Sequence, residues 1–422
     1  LYIVRVQFLS SIHINMKPFT ILLCVFLILG TMGCNKDNPS PGERNPKEIR
    51  LTPKASEVIN HSNDFGIELF KAVSAEDAGE NLMLSPLSAS AALTMLLNGC
   101  DGETYSQIRE MLGYQDLTLE EINEAYNSLL SQLLDADEEV EFALANAVWY
   151  REGFQVKPAY LDAMQNVFDA RIEGLDFNTP SAVETMNQWA SDNTNGKVDH
   201  VIDEISANAV LFLMNALYFK GMWTEQFKTE NTFDAPFMID EGTTVNVPTM
   251  HGLIPVKTAV EDDCRALEMF YGRKNFSMVI VVPDDDPETF VQELDAARWQ
   301  AIASNLDAQS QLMEMDVSVP KFSFEYEKQL NDQLVALGMT DAFTPGLADL
   351  SKIADASLFV SFVKQNTFVD VNEEGTEAAA VTTIGVELTS LGEQFVIDRP
   401  FVFAIREQTT NTILFIGQVF NP

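Results

Sequence analysis

Basic residues, histidine and cysteine are all scarce in this chain. Its 422 residues hold 26 Lys and Arg against 63 Asp and Glu, a formal net charge of −37 at pH 7. So acidic a surface repels phosphate backbones and sulfated sugars, which excludes nucleic acid as the natural partner. Four histidines are present, and beyond the first fifteen residues only His61, His200 and His251 remain, far apart and without ligand spacing. There is no HExxH, no paired CxxC, no Walker loop and no GxSxG. The run Asp284–Asp286 follows a proline and reads as a solvated loop rather than a metal site. No metal and no cofactor are expected, and an enzymatic reading finds no nucleophile–base pair to anchor it. Of the four cysteines, Cys24 and Cys34 lie near the N-terminus, leaving Cys100 and Cys264. Two cysteines do not make a disulfide framework, and both are expected to be unpaired.

Long apolar runs are missing as well. The longest, Phe19 to Leu29, sits in "MKPFTILLCVFLILGTMGC" from Met16 and is too short to span a bilayer. With Lys17 before it and Thr31-Met32-Gly33-Cys34 behind it, it reads as a signal peptide. The small residue before Cys34 resembles a bacterial lipoprotein signal, cut so that the Cys34 thiol is lipidated and the protein is exported on a lipid anchor. Residues 1–15 are expected to lie upstream of the start. The Pro-rich, polar stretch behind Cys34 is expected to be a flexible tether. The expected organisation is therefore 1–33 leader, 34–55 lipidated cysteine and tether, and 56–422 one domain.

What is present in that domain is an ordinary globular balance, 46% hydrophobic in the whole chain. The first half reads as mostly helical. Ser56 is a candidate N-cap with Phe65 and Leu69 on one face, Ser85-Pro86 opens a second helix, and Thr118 to Glu121 forms a capping pattern. The second half is richer in strands. "FSMVIVVP" (276–283) is a buried run, and "RPFVFAI" and "TILFIGQV" read as a hairpin. Helices first and strands later predict an α+β fold with helices packed on a large central sheet.

Three stretches, "NLMLSPLSASAALTMLLNG" (81–99), "MNALYFKGMWTEQF" (214–227) and "VNEEGTEAAA" (371–380), resemble the signatures of the serpin family. The C-terminal "DRPFVFAIREQTTNTILFIGQVFNP" resembles the family's closing hairpin. The resemblance covers residues 56–422. It implies the serpin fold, with further sheets beside the large one, an exposed reactive loop and no catalysis. In that family a protease cleaves the loop, and the loop then enters the main sheet as a new strand. The hinge would be Glu373, Glu374, Gly375, Thr376, Glu377, Ala378, Ala379 and Ala380. The reactive bond would be Thr389–Ser390, with Leu388 or Glu387 presented if the register slips.

The residues suit that role. From Thr376 to Leu388 the even positions are all uncharged, whereas Glu377 and Glu387 fall on the odd face. No proline occurs between Pro345 and Pro400, so no ladder donor is missing. No Lys or Arg occurs between Asn372 and Asp398, which excludes proteases that require a basic bait. Thr389 suits an elastase-like pocket; Leu388 suits chymotrypsin-like, subtilisin-like or papain-like proteases. The resemblance also implies a polar cluster where the sheet parts, matched by Ser85, Ser88 and Asn215, with Gln365 standing where histidine is usual. Lys321 matches the partner of Glu373, and Trp223 the tryptophan at the top of the sheet. The helix that is basic in heparin-activated relatives has no Lys or Arg between Arg109 and Arg151, so heparin is not expected as a partner. A monomer is expected.

Overall fold

The computed structural model describes residues 46–240, 242–377 and 393–422. The leader over 1–33, Cys34, Ala378, Ala379, Ala380, Glu387, Leu388 and the Thr389–Ser390 bond lie outside them.

The helices are α1 (Pro53–Glu76), α2 (Pro86–Leu97), α3 (Gly102–Met111), α4 (Leu119–Leu133), α5 (Pro158–Phe168), α6 (Pro180–Asn193), α7 (Pro287–Glu293), α8 (Ala296–Asp307) and α9 (Asn331–Ala336). Local chemistry fixes several starts. The Ser85 hydroxyl accepts from the Ser88 N–H ahead of α2, and Thr118 and Glu121 form a complete capping box on α4. Asp286, from the acidic run, caps α7. Among the described residues no helix is long and apolar enough to cross a membrane.

Helix α1 corrects the expected boundary. Its cap is Thr52, not Ser56, because Pro53 fits a first helical turn and its missing N–H costs nothing there. Nor do residues 46–55 continue the flexible tether expected over 34–55. The Lys47 N–H and C=O both bond the Asn275 side chain at 2.7 Å, and those of Arg50 bond Gln132 at 2.9 and 3.1 Å. Side-chain amides thus supply the partners that a strand neighbour would give, and Ile49 is buried between them.

The strands are β1 (Leu82–Leu84), β2 (Val140–Arg151), β3 (Arg171–Leu175), β4 (Leu211–Met222), β5 (Thr232–Asp240), β6 (Thr243–Val260), β7 (Cys264–Tyr271), β8 (Phe276–Pro283), β9 (Met313–Pro320), β10 (Phe322–Gln329), β11 (Lys364–Val371), β12 (Gly375–Thr376), β13 (Gln394–Val396), β14 (Phe401–Glu407) and β15 (Thr412–Val419). One sheet runs β1-β15-β14-β8-β7-β6-β9-β13, with β5 on β6. The other runs β10-β11-β12-β4-β2-β3. The expected C-terminal hairpin is β14–β15, and β8 is buried along its whole length. The α+β class is as expected. The first half, however, is not mostly helical, because β2 and β4 pair over eleven positions within it. Cys100 and Cys264 are both buried and free. The main core lies between the two sheets and under α1, α2 and α4.

Candidate functional site

The second sheet is incomplete in its middle. Strand β12 has only Gly375 and Thr376, wedged between β11 and β4: Val371 pairs Thr376, which pairs Gly221, and Gly375 pairs Met222. Beyond that point β11 pairs with β10 alone and β4 with β2 alone among the described strands. The result is a slot with lips at Leu217, Tyr218 and Phe219 on β4 and Thr367, Phe368 and Val369 on β11. Among the described residues, two strand edges therefore face each other without a strand between them, the setting in which one further strand gains a full ladder.

The top of the slot is held by the expected hinge residues. The Lys321 ammonium bonds Glu373 at 2.8 Å, and the Thr232 hydroxyl donates to the other carboxylate oxygen at 2.7 Å. Burial works against this carboxylate, yet those hydrogen bonds outweigh it and hold its pKa below the ordinary glutamate value. The backbone carbonyls of Glu373 and Glu374 accept from the N–H groups of Phe227 and Trp223 at 2.9 and 2.8 Å. The Trp223 indole N–H donates to the Asn372 carbonyl at 2.9 Å, and its ring stacks on Tyr271 with centroids 4.3 Å apart. A Cβ on Gly375 would stand 2.0 Å from the Gly221 carbonyl oxygen, and φ is +155°, so only glycine seats here. Thr376 is 3% exposed, and its hydroxyl shares a 2.7 Å hydrogen bond with that of Tyr271. Its even position does face the interior.

The odd position does not face solvent. The Glu377 side chain is only 4% exposed and lies against Lys197, so the charge on the odd face is covered. The chain after α6 passes over the slot there, bringing Thr194, Lys197 and Val198 onto it.

Farther down, α2 ties the two lips together. Gln365 on β11 accepts from the Ser85 N–H at 2.9 Å and donates to its carbonyl at 3.1 Å. The Ser85 hydroxyl donates to the Leu414 carbonyl at 2.7 Å. On the other side the Ser88 hydroxyl donates to Asn215 on β4, which donates to Asn146 at 2.6 Å, which donates to the Phe168 carbonyl at 2.7 Å. Glutamine serves both roles at once, donor and acceptor. Sequence reasoning missed Asn146, Tyr271 and Thr232; each is a long-range partner of a residue it found, and nothing local to them announces it. Among the described residues no group of three or more His, Cys, Asp or Glu could hold a metal.

Residues 60–422 match a family model described as serpin, serine protease inhibitor. The leukocyte elastase inhibitor of Bos taurus is 34% identical over 375 residues, covering 85% of this chain and 97% of that protein. Among solved structures, the native state of the thermophilic serpin Tengpin shares 30% identity at a TM-score of 0.79, covering 89% of this chain and 96% of that one. Human thyroxine-binding globulin in complex with its ligand shares 30% at 0.79, covering 87% and 99%.

Proposed function

The chain belongs to the serpin family, and from that premise we propose that it is an inhibitory member acting on elastase-like proteases. The observation that supports this is the slot itself, with the hinge seated in its mouth and an uncharged even-position face waiting on the sequence beyond. A target serine attacks the Thr389 carbonyl, the Ser390 amine leaves, and the acyl ester remains on the protease. Insertion of the cleaved loop then carries the protease away and distorts it before water can hydrolyse the ester. Roughly a dozen residues pairing on both sides, at about 1 kcal/mol net per hydrogen bond, give with their burial some 10–20 kcal/mol. A protease domain is stable by only about 5–15 kcal/mol, so distortion is within reach.

Incubation with an elastase-like protease should give an SDS-stable adduct and a released C-terminal peptide that begins at Ser390. Cleavage without an adduct favours the second reading, a non-inhibitory serpin-fold carrier or protease substrate. That reading has its own support in the structural likeness to thyroxine-binding globulin. A peptide beginning at Thr389 moves the bait to Leu388, and the target class toward subtilisin-like, chymotrypsin-like or papain-like enzymes; one beginning at Leu388 moves the bait to Glu387.

We place the protein outside the cytoplasm, on the outer membrane or cell surface or facing the periplasm, as a monomer held by lipid at Cys34. The support is the signal pattern from Met16 and the polar stretch behind it. Cys34→Ala is expected to lose partitioning into detergent while keeping its rate of inhibition; a variant that still partitions refutes the anchor. Heparin should not accelerate inhibition, given the absence of basic residues from Glu110 to Tyr150.

A further inference from the structure

Glu377 follows the two-residue strand β12. Its N–H still donates to the Asp370 carbonyl at 2.9 Å, in step with β11, but its φ of +59° is not that of a strand. A non-glycine residue in that region is strained and persists only where its surroundings hold it. What holds it is a poor site for a charge. The side chain is 4% exposed, Lys197 stands 3.8 Å from one carboxylate oxygen, and the other oxygen has no hydrogen-bond partner among the described residues. Lys197 is itself drawn aside, its ammonium lying 4.4 Å over the Phe368 ring. Tyr218 and Lys220 face the carboxyl from β4 and Asp370 from β11, while Glu141 on β2 acts on Tyr218.

We propose that Glu377 is a positioning residue for inhibition: its protonation decides whether Gly375 and Thr376 stay seated in the sheet or are released. The inference rests on the inhibitory reading for its consequence but not for its test. Seating carries the carboxyl from water into a site that desolvates it and satisfies one oxygen at most. The acid form therefore seats readily, and the ionised form is driven out. The pKa agrees in direction: burial, only partly offset by Tyr218 and Lys197, raises it above the ordinary value of 4.5. A group whose pKa is raised in the seated state stabilises that state fully below 4.5, and the stabilisation is lost as pH rises through the raised value. Each unit of that rise is a tenfold change in the ratio of seated to released hinge. Glu373 moves oppositely. Its pKa is depressed, so it stays ionised throughout the window and its own contribution fails only below it. His200, on the same segment as Lys197, pairs with Asp203 at 2.6 Å on the surface.

The experiment is a pH titration of tryptophan fluorescence on the intact protein without protease, since Trp223 is stacked at the hinge. The signal should change as pH rises above 4.5, the ordinary glutamate value, and Trp223→Phe should remove that change. Glu377→Gln should hold the acid-limit signal at every pH, Lys197→Met should shift the midpoint upward, and His200→Gln should leave it in place. The yield of adduct per loop cleaved, which does not depend on the protease's own activity at each pH, should rise as pH is lowered toward 4.5 in the native protein and stay flat in Glu377→Gln. A flat native titration, or a Glu377→Gln protein that titrates like the native one, overturns the proposal. Failure to form any adduct would remove the inhibitory reading and leave the fluorescence result standing.

Discussion

Thr376→Arg is expected to turn the inhibitor into a substrate. In the native protein, cleavage of the loop should raise the melting temperature by a wide margin, because the slot between β4 and β11 fills. In Thr376→Arg it should not. The position is 3% exposed, and its hydroxyl occupies the hydrogen bond of the buried Tyr271 phenol. Arginine there places a cation against the stacked Tyr271 and Trp223 rings, with Gly221 on one side and Val371 on the other. Burying an unpaired charge costs several kcal/mol, and the Tyr271 hydroxyl loses its partner besides. Each 1.4 kcal/mol is a factor of ten, so insertion should slow by orders of magnitude. The bait bond remains readable, so the acyl ester is hydrolysed first and the protease is released. The measurements are the stoichiometry of inhibition and the melting point before and after cleavage. Adducts formed at the native stoichiometry would show that Thr376 does not lead the insertion.

Much of this site was legible in the sequence because its parts are local patterns. Ser85-Pro86 announces a capped helix whichever way the chain folds, whereas the hinge around Gly375 came from family resemblance. The pairing of Lys321 with Glu373, 52 residues apart, came from family resemblance, since no periodicity links them. The slot was not legible at all. It is a property of two strands, β4 and β11, that approach without pairing, and each reads as an ordinary strand. The cover over Glu377 was illegible for the same reason. Alternation correctly put Glu377 on the face opposite Thr376, but the chain after α6 crosses that face, and nothing near residue 377 encodes the crossing. The ten residues before Ser56 failed differently. Their composition is polar, and composition cannot register that Asn275 and Gln132 wait with matching amides.

Thr389→Arg is expected to move the target class to trypsin-like proteases. Specificity at a bait bond is set mainly by the residue on its acyl side. The native loop offers no cation there: no Lys or Arg lies between Asn372 and Asp398. A protease with a carboxylate at the base of its pocket therefore finds no partner charge. Arginine supplies a planar fork for a bidentate, charge-assisted contact that threonine cannot make. A desolvated pair of this kind contributes several kcal/mol, so the association rate with trypsin should rise by orders of magnitude. The surrounding charge of −37 adds long-range attraction for cationic proteases, and the gain in rate should shrink as salt is added. Elastase should be inhibited more slowly, because a shallow pocket cannot hold the long side chain. Thr389 is an odd position outside the even face from Thr376 to Leu388, so insertion should proceed and adducts should form with trypsin. Trypsin cleavage of the variant should release a peptide beginning at Ser390. If trypsin cuts there and escapes without an adduct, a loop bearing this cation cannot complete its insertion. If trypsin does not cut there at all, residue 389 is not the bait.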